Sequence, residues 1–256
     1  EKFKIKNNVI RTSRIKKKNS VFFDLKSSDF DYFKTNNFDY VFFLIAESNL
    51  NKCESDPETY FINVVQTKKI LHILLNNNER IIFPSTNFVL SCEKDLQDID
   101  EISNPICKYG EHKLELENYL FKKNSCVIRL SKIVDLNIHF FKNISESIIQ
   151  KKEISLYDDY YFSPISINYF YAFIKLVLEK DLLDLWHICA EEQISYYKFA
   201  LEYSKYLGIT NNKIIAKKKR TGLLPKFTKL SCKKAVKQYK FYPQSLNNLF
   251  RDLTNG

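Results

Sequence analysis

Asp39-Tyr-Val-Phe-Phe-Leu-Ile-Ala46 is an unbroken apolar run. Apolar residues that do not alternate with polar ones mark a strand buried on both faces. Two runs of the same kind follow: Arg80-Ile-Ile-Phe83, stopped by Pro84, and Ser125-Cys-Val-Ile-Arg-Leu130. Shorter strands are read at residues 8–11 and 21–25. Helical patterns lie between these runs. Residues 57–76 carry Tyr60, Phe61, Val64, Val65, Ile70, Ile73 and Leu74 at helical spacing. Pro57 opens that stretch and Asn76-Asn77-Asn78 closes it. Residues 106–121 form a second predicted helix, with Pro105 suited to its first turn. Strands alternating with helices predict βαβ units, hence an α/β fold on a parallel sheet. Such sheets bind ligands outside the carboxyl ends of their strands. Ala46, Ser85-Thr86 and Arg129-Leu130 fall at three of those ends, so one rim is expected to present small and polar residues.

The second half has a different pattern. Helices are predicted at 138–150, 167–178 and 195–207, the last capped by Ser195 and ended by Gly208. A strand is predicted at 185–189, a turn at Phe162-Ser-Pro-Ile165, and an amphipathic helix over 233–253.

The chain of 256 residues, 45% hydrophobic and 27% charged, has an ordinary globular composition and can bury an ample core. No apolar run approaches the about 20 residues of a membrane span, so no membrane partner is expected. No secretory signal opens the chain. Cys53, Cys92, Cys107, Cys126, Cys189 and Cys232 include no Cys-x2-Cys pair, and several sit in apolar runs. They read as buried free thiols of a cytoplasmic protein. The four His are scattered, so no metal is expected. The net charge of +10 includes the clusters Lys16-Lys17-Lys18 and Lys217-Lys218-Lys219-Arg220. Neither is interleaved with aromatics, so solvated loops, or attraction of a phosphorylated ligand, are favoured over nucleic-acid binding.

Tyr109 and Lys113 lie one helical turn apart. An ammonium beside a phenol stabilises phenolate and lowers a pKa that is otherwise about 10. A nearby hydroxyl, Ser85 or Thr86, can hold a carbonyl oxygen against that phenol. The spacing alone is weak, since Tyr119/Lys123 and Tyr171/Lys175 repeat it. Context distinguishes Tyr109: Pro105 precedes it, Gly110 leaves room beside the phenol, and a strand ends upstream in Ser85-Thr86.

In order along the chain, five segments resemble the extended short-chain dehydrogenase/reductases that modify nucleotide-linked sugars, with dTDP-4-dehydrorhamnose reductases the nearest likeness. They are Asn51-Lys-Cys-Glu-Ser-Asp-Pro-Glu58 with Ile62-Asn63-Val64, Pro84-Ser-Thr-Asn-Phe-Val89, Asn104-Pro-Ile-Cys-Lys-Tyr-Gly-Glu-His-Lys-Leu-Glu-Leu-Glu117, Val127-Ile-Arg-Leu130 and Phe162-Ser-Pro-Ile165. The resemblance implies a Rossmann-like doubly wound parallel sheet with a small C-terminal α+β lobe. Residues 1–135 would bind the cofactor and carry the Tyr/Lys helix. Residues 136–256 would mainly bind substrate, with segments returning to the sheet. It also implies that Tyr109 is the acid/base, Lys113 its electrostatic and ribose-binding partner, and Thr86, assisted by Ser85, the holder of the substrate carbonyl. Asn63 matches the family's active-site asparagine, which organises water near the lysine. Asp24-Leu25 matches the adenine-binding pair, and Ala46 would lie beside the cofactor. Ser13 and Arg14 follow the second strand with no acid to bind a ribose 2′-OH, so NADP(H) is favoured over NAD(H). Glu47, Ser48 and Arg129 are candidates for the substrate pocket, Arg129 with a structural role as its alternative.

The implied activity is reduction of a 4-keto group on a nucleotide-activated deoxysugar, in surface-polysaccharide precursor synthesis. Epimerisation, dehydration, or a silent binding subunit are the alternatives. A homodimer through the helices at 57–76 and 106–121 is the family expectation. The family's first strand and its Gly-x2-Gly-x2-Gly turn have no counterpart here, and Glu1-Lys-Phe-Lys-Ile-Lys6 resembles the end of the helix that follows them. The expectation is that the natural protein has that segment; loss of the turn, with crippled cofactor binding, is the alternative. The interval between Thr86 and Tyr109 is also one residue shorter than the family suggests.

Overall fold

In the computed structural model, which describes residues 8–27, 29–210, 212–218 and 227–255, the apolar runs become the strands of one ladder. The chain opens with β1 (Thr12–Ser13) and β2 (Val21–Phe22), paired in parallel. Next come α1 (Asp31–Thr35), β3 (Tyr40–Phe42), α2 (Leu50–Ser55), α3 (Glu58–Tyr60), α4 (Thr67–Asn76), β4 (Arg80–Thr86), α5 (Lys108–Leu120) and β5 (Ser125–Leu130). The second half adds β6 (Lys132–Val134), α6 (His139–Ile149), β7 (Ile154–Tyr157), β8 (Tyr161–Phe162), β9 (Pro164–Ser166) and α7 (Ile167–Lys180). It closes with β10 (Asp184–His187), β11 (Ile194–Ser195), α8 (Tyr196–Tyr206), β12 (Ile214–Lys217), α9 (Lys233–Tyr239) and α10 (Leu246–Thr254).

The central sheet runs β10-β5-β4-β3, every pair parallel. Its carboxyl ends therefore share one rim. Ile81, Ile82 and Phe83 of β4 are at most 1% exposed. Each such side chain contributes about 1.5–3 kcal/mol of burial. On one face Ile81, Phe83 and Val127 pack against Phe33, Ile70, Leu74, Leu116 and Leu120 of α1, α4 and α5. On the other, Ile82, Ile128 and Trp186 pack against Phe170, Phe173 and Val177 of α7. This is the α/β, Rossmann-like layering that the sequence predicts. A further cluster, including Val134, Phe141, Phe162, Phe199 and Phe250, is drawn only from the second half. Among the described residues no helix is long and apolar enough to cross a membrane.

Several local expectations are corrected. Only Tyr40–Phe42 of the run at 39–46 is strand, and those residues are half-buried, with Leu44 67% exposed. Among the described residues β3 pairs with β4. Residues 8–11 are not strand, and Val9 and Ile10 are exposed. The stretch from 57 to 76 is one helical path with a π turn at Phe61–Gln66 between α3 and α4. Of residues 162–165, Phe162 ends β8 and Pro164 and Ile165 belong to β9, with Ser163 between them. The helix expected over 233–253 is two, because Lys240 turns left-handed at φ 54° and Pro243 follows. Residues 1–6, Lys219 and Arg220, which the sequence singles out, lie outside the described residues.

Candidate active site

The end of β4 and the start of α5 meet over Gly110. A Cβ added there would stand 2.2 Å from the Phe88 carbonyl oxygen and 3.2 Å from Pro105 Cβ. The missing side chain thus admits the Phe88 carbonyl, not the phenol as the sequence suggested. Pro105 precedes α5, which begins at Lys108. This close approach sets Tyr109 edge-on to Phe88, with ring centroids 6.3 Å apart. One turn on, Lys113 Nζ donates to the Pro84 carbonyl at 2.8 Å and lies 4.2 Å from the centre of the Phe83 ring. Thr86 is buried, and its Oγ1 accepts from Phe88 N at 3.2 Å. A hydroxyl that accepts in this way keeps its proton for a second bond. The structure therefore gathers Tyr109, Lys113 and Thr86 at one end of one strand.

The electrostatics differ from the sequence expectation. Burial holds the Tyr109 phenol above its ordinary value, and the Cys53 and Cys107 thiols add to the shift. Burial also lowers the Lys113 ammonium to about 8, against the opposing pull of Glu117. The net shift of the phenol is therefore upward, against the sequence expectation, and the Lys113 ammonium donates to the Pro84 carbonyl. A phenol shifted upward keeps its proton at neutral pH, which suits the role of a proton donor to a carbonyl oxygen. The other two Tyr/Lys pairs lie on helix surfaces: Lys123 stacks on Tyr119, and Lys175 pairs with Glu179 at 3.5 Å.

Ser85 and Arg129 are committed elsewhere. Alternation along β4 sends Ser85 away from Thr86, and its hydroxyl donates to the Glu117 carboxylate. Arg129 Nη2 and Nε reach the same carboxylate at 2.6 and 3.0 Å, and Nη2 also donates to Ser103 Oγ at 3.0 Å. Arg129 and Glu117 are 4% and 7% exposed. Burial and bidentate pairing support the structural alternative for Arg129. A cleft of about 770 Å³ opens beside this pair between α5 and α9, and Tyr109, Lys113 and Thr86 do not line it.

Asn63 lies in the π turn, a feature often found at functional sites. Its Oδ1 accepts from Glu47 N at 2.7 Å, and its Nδ2 donates to Glu47 O at 2.9 Å and faces His112 Nδ1 at 3.3 Å. Its amide thus holds the segment after β3. The Glu47 carboxylate turns to Lys52, 3.0 Å away, and to Asn49 N. Ala46 and Ser48 on either side are exposed at the rim. His112 was not read from sequence as a site residue. Its place in the turn between Tyr109 and Lys113 was visible there, but its contact with Asn63 needed the fold.

The nucleotide-facing candidates lie at the ends of β1 and β2. Ser13 Oγ accepts from Ile15 N at 3.1 Å, and Arg14 is exposed. Among the described residues Arg14 makes no ion pair. A free guanidinium at a strand end fits a 2′-phosphate. Asp24 Oδ1 accepts from Lys26 N at 3.0 Å. Leu25 is 2% exposed in the core, and its carbonyl accepts from Gln66 at 2.8 Å. Only the Asp24 half of that pair is therefore open to a ligand.

The family model described as RmlD substrate binding domain matches residues 15–254. Among solved structures, a hypothetical dTDP-4-dehydrorhamnose reductase from Sulfolobus tokodaii is 24% identical, with a TM-score of 0.82 over 96% of this chain and 92% of that one. A dTDP-4-dehydrorhamnose reductase from Bacillus anthracis in complex with NADP is 16% identical, with a TM-score of 0.76 over 85% and 80%. A UDP-glucose 4-epimerase from Thermotoga maritima with UDP-glucose is 16% identical, with a TM-score of 0.77 over 98% and 92%. No curated protein matches the chain by sequence.

Proposed function

The chain belongs to the RmlD substrate binding domain family, and from that premise we propose that it reduces the 4-keto group of a nucleotide-activated deoxysugar with NADP(H). The observation that carries this is the meeting of β4 and α5 over Gly110, which puts Tyr109, Lys113 and Thr86 at one rim. In this reading Thr86 Oγ1 donates to the keto oxygen, and Tyr109 Oη gives that oxygen its proton as negative charge develops. Lys113 supplies positive charge beneath the phenol and a donor for the nicotinamide ribose. Bound NADPH would supply the hydride. Arg14 would hold its 2′-phosphate and Asp24 its adenine end, with Ser13 and Ala46 alongside. Ser48 would edge the substrate pocket. Residues 1–135 would then be the cofactor half and 136–256 mainly the substrate lobe.

The B. anthracis reductase bound to NADP supports the choice of cofactor. NAD(H) stays the alternative, as epimerisation does for the reaction, with the T. maritima epimerase in its favour. We also place the protein in the cytoplasm, in precursor synthesis for surface polysaccharides. The six cysteines, all buried and free, support that compartment. A homodimer through α3, α4 and α5 is proposed on the exposure of Tyr60 and Phe61, 43% and 41%, and sedimentation velocity would test it.

A silent binding subunit is the second reading. Calorimetry with NADPH and NADH, on a sample of measured intact mass, tests both. NADPH binding followed by oxidation of NADPH on addition of a dTDP-4-keto-6-deoxysugar supports the reductase. Binding of neither nucleotide, in a sample whose mass confirms that it starts at Glu1, leaves an inactive fragment or a protein that gave up its cofactor.

A further inference from the structure

Asn63 has one way to place its amide. Oδ1 accepts from Glu47 N and Nδ2 donates to Glu47 O, so a flip would set donor against donor and acceptor against acceptor. The second Nδ2 proton has two acceptors within reach, Cys53 Sγ at 3.9 Å and His112 Nδ1 at 3.3 Å, and the ring nitrogen is the nearer and the stronger acceptor. With Nδ1 accepting, the single proton of the neutral ring sits on Nε2. The ring is 4% exposed and meets Tyr60 edge-on at 5.4 Å.

We propose that His112 is a positioning residue whose neutral ring locks Asn63 onto the Glu47 peptide and so sets the course of rim residues 44–48. The proposal rests on the reading of that rim as the edge of the cofactor and substrate site. Protonation would put an N–H on Nδ1 opposite the Nδ2 proton. Asn63 would have to turn, both bonds to Glu47 would be lost, and Ala46 and Ser48 would be released with it.

The charged groups acting on the ring are Glu111, Glu115 and Lys108 of α5 and Glu54 of α2. Lys68 of α4 pairs with Glu115 at 2.6 Å, and Cys53 of α2 lies against Asn63. Burial is the largest influence and lowers the imidazole from its ordinary 6.5. The clamp is therefore complete above 6.5 and is lost as pH falls through the lower folded value.

Hydrogen exchange at the Glu47 amide tests this without reference to turnover. His112→Asn keeps an acceptor that does not titrate, and His112→Phe keeps the ring contact without the acceptor. Each rate is compared with that of a core amide in the same sample. Loss of the clamp is expected to speed Glu47 exchange about five- to tenfold, the equivalent of one net hydrogen bond. His112→Phe should show this at every pH, the wild type only at acid pH, and His112→Asn at none. Equal pH dependence in wild type and His112→Asn overturns the proposal, whether or not His112→Phe folds. So does unchanged Glu47 exchange in a folded His112→Phe protein. In the reductase assay His112→Phe should raise KM more than it lowers kcat. A wild-type protein without turnover would count against the reductase and leave the exchange result standing.

Discussion

Lys113 Nζ and the Pro84 carbonyl oxygen are 2.8 Å apart, a bond that ties the helix carrying Tyr109 to the strand carrying Thr86. The ammonium that the chemistry calls for also holds the site together. It is 7% exposed, and desolvation lowers its pKa to about 8. A buried ammonium is costly unless hydrogen-bonded, and the Pro84 carbonyl fills that need.

Catalysis should follow from these two groups. Tyr109→Phe is expected to lower kcat about 10²- to 10⁴-fold, the usual size of a general-acid contribution, with NADPH affinity retained. Lys113 loses its charge as pH rises through about 8, so reductase activity should decline through that region. A pH profile of kcat that is flat from 7 to 9, each about one unit from that midpoint, would contradict this assignment.

Gly110 should tolerate no side chain. The Phe88 carbonyl 2.2 Å from an added Cβ is backbone and cannot swing aside. Gly110→Ala gains up to about 1 kcal/mol in helix propensity. It forces α5 off β4 at a cost of about 1–3 kcal/mol, with a larger penalty where backbone must move. A net fall in Tm and a fall in kcat are expected, measured by calorimetry and turnover. An unchanged Tm would mean that α5 does not sit this close to Phe88.

The Glu117–Arg129 pair should matter to stability more than to binding. Removing one partner of a buried ion pair typically costs about 3–5 kcal/mol, because the other charge is left without a partner. Arg129→Ala should therefore unfold at markedly lower denaturant. Replacing both with Leu and Met should recover most of the loss. A single variant with normal stability and a raised KM would favour the substrate-pocket role instead.

Glu79 gives a pH signature unrelated to catalysis. It is 1% exposed, its Oε1 accepts from Phe38 N, and burial raises its carboxyl to about 7. Because the folded value exceeds the ordinary 4.5, the folded state favours the proton. The stability this contributes is present below 4.5 and is lost as pH rises through about 7. Glu79→Gln should match wild type near pH 4 and exceed it by about 1–2 kcal/mol near pH 8. Denaturant melts at both pH values would decide it.

Sequence alone determined the layering, because period and run length report burial directly. Residues 80–83 and 125–130 could only be buried strands, and Ser195 with Gly208 bounded a helix through local hydrogen bonding and backbone freedom. The order of Asn63, Ser85-Thr86, Tyr109 and Lys113 marked the candidate site. Tertiary structure decided which way each side chain faced and what it met. It turned Ser85 to Glu117, set Asn63 against the Glu47 peptide and His112, and put Lys113 on a carbonyl. It also shortened the strand expected over 39–46 to Tyr40–Phe42 and ended α9 at Lys240. The physical reason is range. Helix and strand signals arise within a few residues of one another. The partner of a buried polar group is fixed only when distant segments pack and every donor must find an acceptor.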